Sequence, residues 1–341
     1  MSSILEAPLS GGVPRISVVM PTYRRPALME RCLHALLDQT LPGDAFEIVV
    51  VDDGSTDDTR DRCAELDALS RAHGGPEIRY LRPHGTRGPA AARNRGWRAA
   101  RGALIAFTDD DTIPDPDWLR QGEAAMAPAS RVAVWGRVRV PLPERMTDNA
   151  RNTAGLENAV FVTANAFVRR DALARVGGFD ERYRRAWRED TDLYFALLAA
   201  FPEADSVVAA PAALVLHPVR EAKFGVSVGQ QANMAFDALL FKKYPQLYDR
   251  HVGFRRPPLG YSVIAGSTLA ALLAWPFSGG AAAGFAVLAL AGIARFAAKR
   301  LHGLDPSPRQ VADMLLSSFA IPYLSLFWRL VGALRWRVAF Y

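Results

Sequence analysis

Apolar and polar positions alternate in three regimes along the chain. Up to about residue 110 the apolar residues come in short runs, Ile16 to Met20 and Phe46 to Val51, each with one polar residue (Ser17, Glu47), and Ala103 to Phe107. Each has the length and β-branched content of a strand buried on both faces. Residues 15–23 read as a first strand halted by Pro21, and the segment from about Ala27 to Gln39 as the helix after it. Residues 78–81 give a third strand, and an alanine-rich helix from Gly88 to Ala100 leads into the run at 104–107. Strand and helix in this rhythm predict right-handed βαβ units on a parallel sheet.

Two of the runs stop at carboxylates. Val51 is followed by Asp52-Asp53-Gly54-Ser55, and Phe107 by Thr108 and then Asp109, Asp110 and Asp111. Residues there lie at the carboxyl ends of strands, where open α/β sheets place their ligands. Carboxylates crowded within a few ångströms repel unless a proton or a cation neutralises them. A hard ion such as Mg2+ or Mn2+, sharing its other positions with phosphate oxygens, suits the triple aspartate. The competing reading is a solvated acidic turn closed by Pro114 and Pro116. Ser55 or Thr56 can cap the helix that follows the second strand, and Asp52 can serve that same end.

Four segments in order carry a resemblance: Ser17 to Arg24 (SVVMPTYR), Val50 to Ser55 (VVDDGS), Ala92 to Gly96 (ARNRG) and Phe107 to Pro114 (FTDDDTIP). Together they resemble glycosyltransferase family 2 over roughly residues 15–220. The resemblance implies a GT-A fold: α/β, Rossmann-like, with a mostly parallel sheet flanked by helices. It implies a nucleotide-diphosphate sugar as donor, with UDP the first expectation. Pro21, Thr22 and Tyr23 would line the base and Asp53 would bond its edge. Arg93 would lie near the ribose and diphosphate, and Arg24 and Arg25 are either solvated or reach a phosphate. Asp109 and Asp111 would be the two metal-binding positions of the family's DxD signature, with Asp110 between them.

Further on, Asn165 to Glu181 resembles the family's acceptor-side segment, and Glu189-Asp190 its ED motif. In an inverting transfer the acceptor hydroxyl loses a proton as it attacks, so a carboxylate must stand within hydrogen-bond reach. Asp190 is the expected base, with Glu189 beside it. Asp192, two positions along a helix, points elsewhere. Acidic residues also favour helix amino termini for their own sake. Trp187 either stacks on a sugar or belongs to the core. His217, a lone histidine in Val215 to Pro218, is either structural or the third metal ligand that the family implies.

Composition sets the remaining limits. Half of the 341 residues are hydrophobic and 22% are charged, which excludes global disorder. The net charge of +6 is uneven: from Lys242 to Tyr341 there are 12 Lys or Arg against three Asp, a net +9, leaving −3 on residues 1–241. A basic tail interleaved with apolar runs fits membrane lipids, and no nucleic-acid partner is expected. Cys32 and Cys63 lack metal spacing and read as reduced and structural.

Residues 259–294 contain no charge, and Arg255, Arg256, Arg295, Lys299 and Arg300 flank them. A transmembrane hairpin with both ends cytoplasmic satisfies the positive-inside rule. A buried hairpin of a soluble domain is the alternative. Residues 311–334 read as an interfacial helix, or as a third span.

The expected order is thus a polar leader over 1–14 without a secretory signal, a GT-A domain over 15–255, a membrane hairpin over 256–300 and interfacial helices over 301–341. The expected function is metal-dependent, inverting transfer of a sugar to a glycan or lipid-linked acceptor, at the inner membrane with the catalytic domain cytoplasmic. Two other readings remain: a sugar-nucleotide nucleotidyltransferase, which needs a phosphate loop that Pro21 to Arg24 does not form, and a silent scaffold that binds nucleotide sugars.

Overall fold

A computed structural model describes residues 12–83, 85–253 and 255–340. Most of the expected leader, residues 1–11, lies outside them. The chain divides into two compact units. One comprises the chain up to Arg139 and Glu157–Pro218, the other Val140–Leu156 and Val219–Tyr341.

The first unit is built on an eight-stranded sheet: β1 (Ile16–Thr22), β2 (Phe46–Asp52), β3 (Glu77–Leu81), β4 (Leu104–Thr108), β5 (Ile113–Pro114), β6 (Ala133–Arg139), β7 (Asn165–Arg169) and β8 (Val207–Leu216). Their order is β3-β2-β1-β4-β7-β6-β8-β5. The expected helices are present as α1 (Pro26–Leu37), α2 (Thr59–Ala72) and α3 (Pro89–Ala99). With α4 (Trp118–Ala125), α6 (Arg170–Val176) and α7 (Glu189–Ala200) they complete the unit.

The first four strands are parallel, as the βαβ rhythm predicts, but β7 joins β4 and β6 antiparallel and β5 joins β8 antiparallel. The sheet is therefore mixed beyond β4. Asn165 fixes this half: its side-chain oxygen accepts from Trp118 Nε1 at 2.8 Å while its amide donates to the carbonyls of Arg137 and Ala213. Gly136 admits it, since a Cβ there would stand 2.4 Å from the Asn165 amide. Asn165 is thus a buried structural residue.

The core lies where β1, β2 and β4 meet α1, with Val18, Met20, Ile48, Val50, Leu33 and Trp118 buried. Cys32 and Cys63 are buried free thiols of α1 and α2. On the other face α3 lies close on the sheet at Gly96, where a Cβ would come within 2.4 Å of Val19 Cγ1.

The second unit holds α5 (Asp148–Ala154), α8 (Val226–Gln230), α9 (Met234–Lys243), α10 (Pro245–His251), α11 (Leu259–Ala274), α12 (Gly279–Leu301) and α13 (Pro308–Trp336). The boundary expected at residue 255 is not where the chain divides. Residues from 219 onward go with the C-terminal helices, because α9 buries Phe236, Leu239 and Leu240 and packs on α13. A Cβ on Gly332 would stand 2.7 Å from the Ala235 carbonyl, and Trp336 Nε1 donates to that carbonyl at 3.0 Å.

The C-terminal apolar helices are consistent with a hairpin. Among the described residues two are long and apolar enough to cross a membrane, α12 with 23 residues and α13 with 29. The first arm of the expected hairpin, α11, has only 16. Ser307 caps α13 with a capping box, and Pro322 sits inside the helix without ending it, so 308–336 forms one continuous helix over the stretch expected as an interfacial helix or a third span.

Candidate active site

Register brings the acidic segments together. β1 pairs with β2 from Ile16↔Phe46 to Thr22↔Asp52, and with β4 from Ile16↔Leu104 to Val19↔Phe107. The loops after the three strands therefore open side by side. Thr22, fully buried, donates from Oγ1 to Asp110 Oδ2 at 2.8 Å across 88 residues of sequence. Pro21 is half-buried and Tyr23 is exposed. Arg24 has φ 52, donates its backbone N–H to Ser55 Oγ at 2.8 Å, and lays its guanidinium over the Tyr23 ring.

The two aspartates after β2 have different fates. Asp52 is wholly buried and accepts from Gly54 N–H, Ser55 N–H and Ser55 Oγ on one oxygen and from Tyr80 and Arg82 on the other. Burial opposes its charge, but these donors, Ser55 first, hold its carboxyl below the ordinary range. Ser55 is thus committed to Asp52, and α2 begins at Thr59, with Asp58 at its cap position. Asp53 accepts the Gly88 N–H at 2.9 Å on Oδ2, which pins the start of α3. Its Oδ1 is buried with no partner among the described residues, and burial raises its pKa. A buried acceptor left open costs free energy unless a ligand donor fills it.

The triple aspartate is neutralised by the chain's own cations. Asp109 Oδ1 accepts from Arg93 Nη2 at 2.6 Å. Asp110 faces Arg25 Nη2 at 3.2 Å, and Asp111 faces Arg25 Nη1 at 3.4 Å. Burial would raise Asp109, yet Arg93 holds it below the ordinary range, whereas burial pushes Asp110 up to about 7 against the pull of Arg25. Asp109 turns to Arg93 while Asp110 and Asp111 share Arg25, so the segment is neither a solvated turn nor three ligands of one ion. Arg25 is thus held by these carboxylates, while Arg24, with its left-handed backbone, leaves its side chain exposed.

His217 follows β8, whose antiparallel pairing Ile113↔Leu216 sets it beside the acidic loop. Its Nε2 stands 3.6 Å from Asp111 Oδ1. These are donor atoms of the right chemistry, close enough together to share one ion at about 2.1 Å from each. Among the described residues no group of three or more His, Cys, Asp or Glu has ligand spacing. Asp111 and His217 thus fit Mg2+ or Mn2+ as a pair, with the other positions open to phosphate oxygens and water.

Glu189 and Asp190 open α7. Arg188 precedes them with φ 72, a left-handed residue of the kind that concentrates at functional sites. Glu189 is buried and accepts from Arg93 Nη1 at 3.1 Å, with its Oε2 lacking a hydrogen-bond partner among the described residues. Burial, then the neighbouring Asp190, raises Glu189 against Arg93. Asp190 accepts its own Thr191 N–H at 2.6 Å, and burial raises it above the ordinary aspartate range. Asp192 is buried and turned the other way, accepting from the Tyr183 hydroxyl at 3.2 Å. Trp187 is half-buried beneath the Arg188 guanidinium.

Arg93 joins the two acidic motifs. Its guanidinium, 3% exposed, bridges Asp109 and Glu189, where the resemblance implied a ribose and diphosphate contact. The alanines at 90–92 explain this, since they seat α3 so close on the sheet that residue 93 points inward. Sequence reading also missed Asn94, which exchanges hydrogen bonds with the backbone of Phe179 and so clamps the segment leading to α7. The signal was present in the Ala92-Arg93-Asn94 run, but nothing local shows what its side chains meet.

Residues 17–177 match the family model Glycosyl transferase family 2. The chain is 32% identical over 180 residues to Glycosyltransferase AglE of Haloferax volcanii, covering 50% of this chain and 58% of that one. It is 41% identical over 136 residues to a Validoxylamine A glucosyltransferase of Streptomyces hygroscopicus subsp. limoneus, covering 38% of this chain and 28% of that one. It thus spans little more than half of the one and under a third of the other. The fold is similar to that of the mannosyltransferase PcManGT of Pyrobaculum calidifontis, solved with GDP-Man and Mn2+, at TM-score 0.54 and 22% identity over 95% of this chain and 87% of that one. The fold is GT-A, and residues 17–177, a little under half of the chain, are similar to glycosyl transferase family 2.

Proposed function

We propose that this chain transfers a glycosyl group from a nucleotide-diphosphate sugar, UDP-linked by expectation, to a hydroxyl of a glycan or lipid-linked acceptor, with inversion. The observation that carries the reading is the convergence on one sheet edge of Thr22, the open Asp53 oxygen and the triple aspartate, tied through Arg93 to the carboxylates of α7. Enzymes of this kind need both a donor site and a base, and the arrangement offers each.

Asp53 Oδ1 would accept an N–H of the base, with Pro21 and Tyr23 beside it. Asp111 and His217 would hold Mg2+ or Mn2+. The ion supplies positive charge that offsets the charge developing on the leaving diphosphate. Asp109, fixed by Arg93, would orient donor hydroxyls. Asp190 would take the proton of the attacking hydroxyl: its raised pKa makes it a stronger base than an exposed aspartate. Glu189, held by Arg93, would position it. The solved mannosyltransferase with GDP-Man and Mn2+ supports the donor class and the ion as chemistry for this fold.

The helices α12 and α13 would span the membrane. Large side chains such as Leu272, Trp275, Phe277, Leu290, Phe319 and Leu334 on α11 to α13 are exposed, which lipid would cover. The catalytic domain would face the cytoplasm at the inner membrane, since Arg295, Lys299 and Arg300 cluster towards one end of α12 and its other end is uncharged.

The test is a donor panel offered to the full chain in detergent with an extract of membrane lipids and glycans, with Mn2+, Mg2+ or chelator. Ion-dependent release of one nucleoside diphosphate is expected. Release unaffected by chelator would remove the metal, and no release from any donor would remove the transfer reading.

A further inference from the structure

Two arginines neutralise the triple aspartate, and they are held very differently. Arg93 rises from the middle of α3, is 3% exposed, and bonds Asp109 at 2.6 Å and Glu189 at 3.1 Å. Arg25 is 35% exposed. Its contacts with Asp110 and Asp111, 3.2 Å and 3.4 Å, are longer than the roughly 2.7–2.9 Å of a strong charge-assisted bond. One guanidinium is built in, and the other rests on its carboxylates from the solvent side.

The surroundings let Arg25 change partners cheaply. It stands at the start of α1, where its carbonyl accepts the N–H groups of Leu28 and Met29 at 3.1 Å and 3.0 Å. Its backbone is thereby fixed, so the side chain can turn without moving the helix. The acidic loop has ties that do not involve Arg25: Thr22 Oγ1 donates to Asp110 at 2.8 Å, and Cys32 Sγ of α1 donates to the Asp109 carbonyl at 3.5 Å.

Asp111 is where Arg25 and the proposed ion seat meet. Its Oδ2 faces Arg25 Nη1 at 3.4 Å, and its Oδ1 faces His217 Nε2 at 3.6 Å. A divalent ion on Oδ1 and His217 would share one carboxylate with the guanidinium. Asp110 and Asp111 are buried, and two cations on one buried carboxylate repel more strongly than they would in water. Whatever strengthens one of them weakens the other.

We infer that Arg25 is an exchangeable counter-ion of the donor site: it bonds Asp110 and Asp111 until a divalent ion arrives with a nucleoside diphosphate, and then passes its guanidinium to that diphosphate. The planar guanidinium suits both partners, since the paired N–H donors that face carboxylates also match phosphate oxygens. An ion arriving alone displaces Arg25 with no new partner to receive it. An ion arriving with a diphosphate brings that partner, so the two bind cooperatively through this side chain. The inference rests on the donor and ion reading above and names the residue that couples the two ligands.

The test reads binding of Mn2+ and not turnover. Free Mn2+ is followed by electron paramagnetic resonance on the full chain in detergent, alone and with UDP or GDP, against protein-free controls that account for ion held by the nucleotide. In the parent, one of these nucleotides tightens Mn2+ binding by about five- to a hundredfold. Arg25→Gln binds Mn2+ alone about tenfold or more tightly than the parent, because a neighbouring like charge is gone, and most of the tightening by nucleotide disappears. Arg25→Lys keeps the charge and loses the fork, so Mn2+ alone binds as in the parent while the coupling falls; it also serves if Arg25→Gln fails to fold. A fixed neutralising arginine would lower the melting temperature when replaced and leave the ion's affinity alone. Unchanged Mn2+ affinity in folded Arg25→Gln, or undiminished coupling in either variant, overturns the exchange. Parent and variants that bind no Mn2+ with either nucleotide give a different result, which overturns the donor and ion reading itself.

Discussion

Arg93 Nη2 lies 2.6 Å from Asp109 Oδ1, and it is this contact, with Glu189 on the same guanidinium, that joins the acidic loop after β4 to the amino terminus of α7. A buried cation between two carboxylates couples whatever happens at one acidic motif to the other.

Removing that cation would leave the buried Glu189 carboxyl and the half-buried Asp109 without the partner they share. Arg93→Met is expected to destabilise the fold by about 3–5 kcal/mol, the usual cost of breaking one side of a buried pair. Thermal unfolding of the full chain in detergent measures it. Arg93→Lys, a point charge unable to fork, should fall between the two, and a melting temperature unchanged in both variants would show the bridge to be energetically idle.

Asp190→Asn keeps the shape of the side chain and removes its basicity. Turnover should drop about 10²- to 10⁴-fold while donor binding stays within about twofold. Nucleoside diphosphate release and equilibrium donor binding read the two separately. Turnover near the parent level would move the base elsewhere.

For Asp53→Asn, an amide N–H would face the donor instead of a carboxylate oxygen, while Gly88 keeps an acceptor. The KM for the donor should rise tenfold or more with kcat little changed, an unpaired buried donor costing about 1–3 kcal/mol. Equal losses in kcat and kcat/KM would place Asp53 at the chemistry instead of the base.

The pH dependence has two signs to separate. Asp190 must be unprotonated to act, and its pKa is raised by burial, so kcat/KM should fall as pH drops through a value above about 4. Glu189 is raised from 4.5 to about 8, so its contribution to stability is fully present below the unfolded value and is lost as pH rises through the folded one. Between these limits unfolding should become easier with rising pH, and Glu189→Gln should remove that slope. A slope that persists in Glu189→Gln assigns it to another group.

Much of this protein was legible in one dimension. The strands at 16–22, 46–52 and 104–108, the helices between them and the carboxylates at their ends follow from local periodicity, because a strand buried on both faces must be apolar throughout and a ligand-binding loop must then begin where it stops. The four motifs and the uncharged C-terminal stretch are equally local features. What the tertiary structure alone decided is which charge meets which. Thr22 and Asp110 are 88 residues apart, Arg93 and Glu189 96, and their meeting depends on strand register and on how closely alanines let α3 approach the sheet. The antiparallel placing of β7, the pairing of Arg25 with Asp110 and Asp111 and the assignment of α9 to the C-terminal unit have the same origin: contacts between distant segments are set by packing, and no period in the sequence encodes them.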